Sequence, residues 1–273
     1  MGHALMSQAV RQIYPEPAGL DDRELAARYS HPDQGRSAPY WLRANMVASL
    51  DGAATVGGRS GGLSGRADQQ VFAMLRALAD VILVGAGTAR VEGYRPVRPR
   101  HEGVRWAWLR AGRTPSPPIA VVTRRLDLDL ESPLLAGSPD HARTIVITTE
   151  AAPPVRRAQV AATADVIVAG RESVDIVAAV TALAGRGHRR ILTEGGPYLL
   201  SQIIEAGLLD DLCLTFSPVL AGPGAGRIVA DIGPLREPGG VDARRLSVAH
   251  VLADDGHLLC RYVRPAPAGQ DAP

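Results

Sequence analysis

Short polar and glycine-rich motifs directly follow several apolar runs, and they are the residues best suited to chemistry. Glu194-Gly195-Gly196-Pro197 follows the run Ile191-Leu192-Thr193. Proline opens a helix there, and the free N–H groups of its first turn form a phosphate site. The two glycines would let a cofactor lie against the backbone, while Glu194 could accept hydrogen bonds from a polar ligand. Alternatively, the carboxylate of Glu194 only complements the helix dipole.

A second motif, Gly85-Ala86-Gly87-Thr88, follows the apolar run from Val81 to Val84. Gly85 and Gly87 let backbone N–H groups approach an anion, and Thr88 can cap a helix or donate a hydroxyl. The dinucleotide fingerprint needs a third glycine where this sequence has Arg90. A tight strand-to-helix turn is the commoner origin of such a motif, so by itself it is a weak signal.

Ser49-Leu50-Asp51-Gly52 follows the first predicted strand and leads into the glycine-rich stretch Gly58-Arg59-Ser60-Gly61-Gly62. This loop could fold over a bound ligand, and Asp51 is a candidate catalytic carboxylate. A turn that pairs Asp51 with Gly52 is the more common use of that residue pair. Both interpretations stay open on the sequence alone.

An arginine pair follows a further apolar run, in Thr123-Arg124-Arg125 after residues 119–122. Two guanidinium groups suit a phosphate monoester such as the 2′-phosphate of NADPH, and a solvated arginine pair is the alternative. The chain has no lysine, so all 30 of its basic residues are arginine. This excludes mechanisms that need a Schiff-base lysine or a phosphate-loop lysine.

The composition excludes several other classes. The chain has 273 residues, 46% apolar and 21% charged, with a formal net charge of +2 and charges of both signs interspersed. We therefore expect a globular protein that binds neither nucleic acid nor membrane, since no apolar stretch reaches the roughly 18 residues of a membrane helix. Cys213 and Cys260 form no metal-ligand motif with the histidines. We therefore expect both cysteines to be structural thiols. We also expect that the protein binds no metal and is cytoplasmic.

Val- and Ile-rich runs alternate with longer Ala- and Leu-rich segments, which predicts an α/β fold. The expected strands cover residues 40–48, 81–84, 119–122, 144–147, 165–168, 190–193, 212–217, 246–252 and 257–263, and the expected helices cover 21–29, 67–78, 174–184 and 197–206. This order implies a mostly parallel sheet with helices on both faces. Asp254-Asp255-Gly256 predicts a C-terminal antiparallel hairpin.

The expected organisation is a peripheral N-terminal arm over residues 1–38, one domain over residues 39–264 and a disordered tail over residues 265–273. The C-terminal strands would leave an antiparallel sheet edge that needs cover. We therefore expect a homodimer.

Five motifs in fixed order carry a resemblance to a known family. They are Ser49-Leu50-Asp51-Gly52, Leu75-Arg76, Gly85-Ala86-Gly87-Thr88, Glu194-Gly195-Gly196-Pro197 and Ser217-Pro218. The sequence from about Tyr40 to Val263 resembles the pyrimidine reductase of riboflavin biosynthesis. That enzyme is the C-terminal domain of a bifunctional deaminase/reductase and has the dihydrofolate reductase-like fold. The resemblance implies NADPH as hydride donor and a ribosylamino-pyrimidine phosphate as substrate, reduced at its sugar carbon.

The resemblance also assigns site residues by position. Cofactor contacts fall at Val47, Thr88, Glu92, Thr123 and the stretch from Gly196 to Gln202, which contains Pro197, Tyr198, Leu199 and Leu200. Ser60, Arg76 and Glu194 would meet the substrate. Arg76 and Arg98 are candidates for its phosphate, and Glu194 is the main catalytic candidate, binding ribose hydroxyls or a ring N–H.

The sequence departs from the family at the substrate site. Asn45 stands where the riboflavin enzymes usually carry a lysine, Gly62 stands where many have a tryptophan, and residues 89–96 differ from the usual pattern. Two alternatives therefore stay open beside the riboflavin reductase. One is a dihydrofolate reductase-like activity on a pterin, and the other is a catalytically silent NADP-binding protein.

Overall fold

The computed structural model describes residues 11–16, 18–31, 39–98, 114–231 and 245–265. Its strands are β1 (Arg11–Tyr14), β2 (Ala18–Gly19), β3 (Trp41–Ser49), β4 (Val81–Gly85), β5 (Ile119–Val122), β6 (Ile145–Thr148), β7 (Asp165–Val168), β8 (Arg190–Thr193), β9 (Asp211–Ser217), β10 (Ser247–Asp254) and β11 (His257–Val263). Its helices are α1 (Asp22–Arg28), α2 (Arg66–Leu78), α3 (Ala86–Val91), α4 (Pro133–Ala136), α5 (Pro154–Thr163), α6 (Ile176–Gly185) and α7 (Pro197–Glu205). The predicted tail beyond residue 265 lies outside these ranges.

These strands form one mixed sheet in the order β2-β1-β10-β11-β9-β3-β8-β4-β5-β6-β7. The seven from β9 to β7 run parallel, and β11 and β10 continue the sheet in antiparallel pairing. The turn between β10 and β11 has positive φ at Asp255 and Gly256, as a two-residue hairpin requires. The predicted fold class and the terminal hairpin are confirmed.

The core lies on both faces of the sheet because strand side chains alternate. Ile82 and Val84 of β4 pack with α1 and α2 on one face. Val81 and Leu83 of the same strand pack with α6 and α7 on the other. Side chains of the parallel strands are therefore buried on both sides, and their polar residues collect at the strand ends.

The segment expected as a peripheral arm takes part in the sheet where the structure describes it. Strand β1 pairs antiparallel with β10, and β2 pairs with β1. Leu25 and Tyr29 are each 1% exposed and belong to the core. The edge of β10 that motivated the dimer expectation is thus covered by the chain itself. The residue pattern does not predict this strand, because Gln12 is the one buried residue of β1 and apolar alternation is therefore absent.

A buried ionic cluster fastens α1 to the sheet. Asp211 of β9 lies beside Arg43 of β3, with Arg43 Nη2 2.6 Å from Asp211 Oδ2, and Arg261 Nη2 lies 2.8 Å from the same oxygen. The two guanidinium groups also donate to the carbonyl oxygens of Tyr29 and Arg28 at the end of α1. Burial would raise the pKa of Asp211, but the charges of Arg43 and Arg261 hold it below its usual value.

Cys213 and Cys260 are buried free thiols. No helix in the described ranges is long and apolar enough to cross a membrane. Those ranges also hold no group of three or more His, Cys, Asp or Glu side chains placed to bind a metal ion.

Candidate active site

A cleft of about 1290 Å³ opens at the carboxyl ends of β3, β4 and β8. Ligands of parallel sheets bind at these ends because the loops that follow the strands meet there. The predicted site residues that line it are Asn45, Val47, Ser60, Arg76, Gly87, Thr88, Glu92, Arg98, Glu194, Gly196, Pro197 and Tyr198. Helix α2 forms a further wall of the cleft.

Glu194 sits at the centre of a hydrogen-bonded cluster in this cleft. Arg76 Nε donates to Glu194 Oε1 and Arg76 Nη2 to Oε2, both at 2.7 Å. The Tyr94 hydroxyl donates to Oε2 at 2.5 Å. The guanidinium carbon of Arg76 lies 4.1 Å from the centre of the Phe72 ring. The carboxylate is therefore fixed by three donors and an aromatic support.

The cluster keeps its charges balanced. Burial would lower the pKa of Arg76, but the Glu194 carboxylate raises it above its usual value. Burial and the same carboxylate raise the pKa of Tyr94 well above its usual value, so the phenol stays protonated at neutral pH. Because Arg76 is paired with Glu194, its positive charge is already compensated, and it is a weaker phosphate candidate than the sequence indicates. Arg95 and Arg98 are exposed at the cleft.

The glycine motifs form one backbone cradle. Gly85 N donates to Gly195 O at 2.8 Å, which joins the ends of β4 and β8. Neither glycine is among the residues lining the cleft, so each supports its wall from behind. A Cβ on Gly196 would lie 2.3 Å from Thr88 Oγ1. This packing explains why Glu-Gly-Gly-Pro and Gly-x-Gly-Thr occur in one chain.

The first turn of α7 faces the same cradle. Its N-cap, Gly196, makes no side-chain cap, and Pro197 occupies the first turn. The N–H groups of Tyr198 and Leu199 have no intrahelical acceptor, as in any first helical turn. Leu200 N donates to Gly196 O, and the side chains of Leu199 and Leu200 are buried in the core. Backbone groups of Tyr198 and Leu199 are thus the ones that α7 offers to a ligand.

Glu92 ties the glycine-rich loop to the cleft. Ser60 N donates to Glu92 Oε1 at 2.8 Å, so the short 3-10 turn Ser60–Gly62 is held next to the end of α3. Both residues line the cleft. The glycine-rich loop therefore forms part of the cleft wall.

Asp51 lies outside the cleft. It is not among the residues that line the cleft, and its carboxylate accepts hydrogen bonds from Ser49 Oγ, Ala221 N and Gly222 N. The hydrogen bond from Ser49 and those from the two backbone groups lower the pKa of Asp51 to about 2. The structure places Asp51 as an anchor between two loops, which is a turn role rather than contact with a ligand.

Arg124 and Arg125 line a second, smaller depression of about 360 Å³ at the ends of β5 and β6. Thr149 lines it too, and its buried Oγ1 has no hydrogen-bond partner among the described residues. Thr123 is buried, and its Oγ1 accepts from Leu126 N at 3.1 Å. The arginine pair is thus separate from the main cleft, at the next strand ends along the sheet.

Tyr94 and Asp68 are among the polar cleft residues that the sequence analysis did not single out. Tyr94 lies in a loop, where no periodicity marks an inward side chain. Asp68, Phe72 and Arg76 recur every four residues on α2, so they share one helix face. That spacing from the recognised Arg76 was the available signal for Asp68.

Comparison with known proteins agrees with this geometry. Residues 40–266 match the family described as RibD C-terminal domain. The 2,5-diamino-6-ribosylamino-4(3H)-pyrimidinone 5′-phosphate reductase of Archaeoglobus fulgidus is 32% identical over 179 residues, covering 65% of this chain and 80% of that protein. A pyrimidine reductase-like protein from Corynebacterium diphtheriae has a TM-score of 0.74 at 28% identity, covering 84% of this chain and 93% of that one.

A deaminase and 5-amino-6-(5-phosphoribosylamino)uracil reductase from Thermotoga maritima shares the fold, with a TM-score of 0.58 at 19% identity. It is covered over 57% of its length, and 83% of this chain is matched. The fold and site define an oxidoreductase of the pyrimidine reductase class. The chain belongs to the RibD C-terminal domain family, which confirms the resemblance drawn from the motifs.

Proposed function

We propose that this protein reduces a ribosylamino-pyrimidine 5′-phosphate in riboflavin biosynthesis, with NADPH as the hydride donor. The observation that carries the proposal is the meeting of a fixed carboxylate, Glu194, with a glycine cradle in one cleft. The Archaeoglobus fulgidus relative is named for a substrate of this class.

The residues present fit a dinucleotide. The cradle at Gly196 has no room for a Cβ beside Thr88, and the unpaired N–H groups of Tyr198 and Leu199 suit a pyrophosphate. Arg124 and Arg125 with the buried hydroxyl of Thr149 suit the 2′-phosphate end. When bound, NADPH supplies the hydride that the sugar carbon receives.

The protein's own part in the reaction is to bind and orient the substrate. Each carboxylate oxygen has two lone pairs, and Glu194 Oε1 receives one donor from Arg76. Its second lone pair can accept a ribose hydroxyl or a ring N–H. Because Arg76 and Tyr94 hold the carboxylate on both oxygens, it cannot rotate away when the substrate enters. Among the described residues, Arg95 and Arg98 line the cleft and can donate to the substrate phosphate.

A pterin such as dihydrofolate is a second candidate, favoured by the compensated charge of Arg76 and by the neutral amide of Asn45 in the cleft. The two candidates are separated by steady-state oxidation of NADPH with each substrate at equal concentration, in the wild type and in Asn45→Lys. We expect faster turnover of the pyrimidine phosphate and a further gain in Asn45→Lys. Faster turnover of dihydrofolate, with no gain in the variant, would replace the first candidate by the second, and no oxidation with either would leave a silent binding protein.

NADPH should bind better than NADH because Arg124 and Arg125 can pair with the 2′-phosphate. Such a charge-assisted contact is worth roughly 1.5–3 kcal/mol, or about tenfold and more in affinity. Affinities of both cofactors are measured for the wild type and for Arg124→Ala/Arg125→Ala. The double variant should lose the preference while keeping its NADH affinity. Equal affinities in the wild type would contradict the assignment.

We also propose a homodimer. Its interface would be a face of the sheet and not the sheet edge, because β1 covers the edge of β10. Leu258 and Phe216 are paired across β11 and β9, and Cys260 lies beside Leu214 and Val251, which gives one sheet face two apolar rows. Leu258 is 40% exposed. A second copy would cover this face. Light scattering at micromolar concentration should give the dimer mass, with Leu258→Asp shifting it to the monomer; a monomeric wild type would contradict the proposal.

A further inference from the structure

Three neighbouring strands each place a polar group at the smaller depression beside the cleft. Arg124 and Arg125 follow β5, and Thr149 follows β6. Glu172 lies in the loop after β7 and lines the same depression. The proposed function uses the arginine pair for a 2′-phosphate. Because two anions repel each other, the carboxylate of Glu172 cannot share that phosphate and needs a different explanation.

Backbone hydrogen bonds fix the loop that carries Glu172. Glu150 N donates to Gly170 O and Ala151 N donates to Arg171 O, both at 3.0 Å. The loops after β6 and β7 therefore continue the pairing of the two strands. Gly170 has a φ of +90°, which lets the chain turn sharply before Glu172. The backbone next to Glu172 is thus held against the loop after β6, at the depression.

Thr149 adds a buried hydroxyl that lacks a partner. The residue is 0% exposed, and its Oγ1 has no hydrogen-bond partner among the described residues. Buried hydroxyl groups in proteins are normally hydrogen-bonded. No ion pair joins Glu172 to Arg124 or Arg125 in the part of the chain that the structure describes. Beside the arginines, the depression therefore offers one unused donor and one unused acceptor.

The size of the depression suits more than a phosphate group. Its volume of about 360 Å³ falls within the roughly 300–1,000 Å³ of pockets that hold small molecules. Ala151, Ala152 and Pro153 give it small, apolar walls that suit a flat ring. Strands β5 and β7 are two positions apart in the sheet, and neighbouring strands lie about 4.8 Å apart, so their ends are separated by about 10 Å. This is comparable with the span from the phosphate to the 6-amino group in adenosine 2′-phosphate.

We propose that the depression binds the adenine ring of the cofactor, with Glu172 accepting a hydrogen bond from the 6-amino group and Thr149 Oγ1 donating to N7. The proposal rests on the proposed function, in which NADPH is the hydride donor, and adds the residues that read its base. Adenine presents the 6-amino donor next to the acceptor N7. A carboxylate only accepts hydrogen bonds, and a hydroxyl can donate one.

The same contacts discriminate against hypoxanthine. Hypoxanthine has a carbonyl oxygen in place of the 6-amino group, and this oxygen and the carboxylate of Glu172 would repel each other. N7 is common to both bases, so the contact with Thr149 does not distinguish them. The strand next to β5 is β4, whose end lies in the cleft, so an extended dinucleotide can reach both the cleft and the depression.

The test measures dissociation constants by calorimetry and needs no turnover. The ligands are NADPH and reduced nicotinamide hypoxanthine dinucleotide phosphate, which differ only in the base. The wild type should bind NADPH roughly tenfold more tightly, as for one hydrogen bond to a charged group. In Glu172→Gln this preference should fall to near unity, because the amide can also donate to a carbonyl oxygen. NADH and its hypoxanthine analogue should show the same preference, since the arginines take no part in reading the base.

Matched variants test the two contacts. Thr149→Val removes the hydroxyl and should weaken binding of both dinucleotides several-fold while the preference for adenine stays. Thr148→Val is its control, because Thr148 also has a buried hydroxyl without a partner among the described residues but does not line the depression. Glu150→Gln removes a neighbouring exposed charge that does not line the depression and should leave the preference unchanged.

Three outcomes overturn the reading of the base. They are equal affinities of the wild type for the two dinucleotides, a preference that persists in Glu172→Gln, and the same loss of preference in Glu150→Gln. Equal effects of Thr149→Val and Thr148→Val overturn the role of Thr149. Adenosine 2′-phosphate should compete with NADPH, and simultaneous binding of the two would show that the depression is a separate nucleotide site and overturn its assignment to the cofactor.

Failure of the proposed function gives a different pattern. NADPH binding with the expected base preference, but without oxidation in the presence of the pyrimidine phosphate, would overturn the reductase proposal and support the role of Glu172. Oxidation of both dinucleotides with equal affinity would support the reductase and overturn the role of Glu172. Absence of binding of any of the four dinucleotides would overturn the cofactor assignment together with this proposal.

Discussion

Two arginine–carboxylate clusters of this molecule have similar chemistry and different surroundings. In the cleft, Arg76 is bound to Glu194, with side-chain exposures of 20% and 3%. Under α1, Arg43 and Arg261 are bound to Asp211, and the exposures of Arg43 and Asp211 are 1% and 0%. In the first cluster a tyrosine hydroxyl is the third donor, whereas in the second one nitrogen of each guanidinium donates to a carbonyl oxygen at the end of α1.

The two clusters contain the same kinds of charged residue and differ in their access to the cleft. A sealed pair has only groups of the chain to compensate its charge, and an unpaired buried charge is costly. A pair on a cleft wall can leave lone pairs to a ligand. Loss of Asp211 should therefore be seen in stability, and loss of Glu194 in turnover.

Asp211→Asn is the change with the largest expected effect. It leaves two buried guanidinium groups without a counter-charge, and breaking a buried ion pair costs about 3–5 kcal/mol. The free energy of unfolding is measured by urea titration, with turnover per folded molecule near the wild-type value. Asp165→Asn is the matched control, because the Arg143–Asp165 pair is largely exposed and should contribute less than about 1 kcal/mol. Equal losses in the two variants would remove the distinction between the clusters.

His250 should give the sealed region a stability that depends on pH in mildly acidic solution. Its ring packs edge-on against Tyr29 at 4.8 Å, and burial together with the charge of Arg261 lowers its pKa from 6.5 to about 4. Above pH 6.5 His250 is neutral in folded and unfolded chains alike. Between pH 6.5 and 4 the unfolded chain binds a proton that the folded chain does not, so stability falls as the pH falls, by up to about 3 kcal/mol.

His250→Phe keeps the aromatic contact and removes the titration. The measurement is the free energy of unfolding between pH 7.5 and about 4 for both proteins. The variant should lose less stability over this interval than the wild type. Parallel curves would show that His250 does not titrate in the way its burial implies.

Glu194→Gln should act on turnover. We expect kcat to fall about 100-fold, equivalent to about 2.7 kcal/mol, because a neutral amide cannot hold Arg76 and accept from the substrate as a carboxylate does. NADPH affinity should stay within a few-fold, since Glu194 precedes the glycines of the cradle. Stability should change less than in Asp211→Asn, because Arg76 can gain water from the cleft. Wild-type turnover in this variant refutes the role of Glu194.

Tyr94→Phe is the mildest change and separates orientation from charge. It removes one of the three donors on Glu194 and leaves the ion pair with Arg76 in place. Turnover should fall roughly tenfold or less, as for loss of one hydrogen bond to a charged group. In a Glu194→Gln background the same change should cost little more, because the two residues act through one contact. Full additivity of the two effects would show that Tyr94 works independently of Glu194.

The fold class and the site residues that directly follow strands can be predicted from the sequence, because both depend on local rules. Period-2 and period-3.6 apolar patterns specify strands and helices, and parallel strands bring their following loops to one edge. Gly85, Thr88, Glu194 and Gly196 could therefore be placed together from the order of their motifs. The reductase class followed from the resemblance to a known family that these motifs carry.

Side-chain partners were decided by tertiary structure alone. Arg76 and Glu194 are 118 residues apart, and nothing local distinguishes an arginine that binds phosphate from one that binds a carboxylate. Arg43 is two residues from Asn45 on β3, yet it is buried against Asp211 while Asn45 lines the cleft. The sequence determined which groups reach the strand ends. Only the packed chain determined which of them are already neutralised and which face the cleft, because that depends on contacts between distant segments.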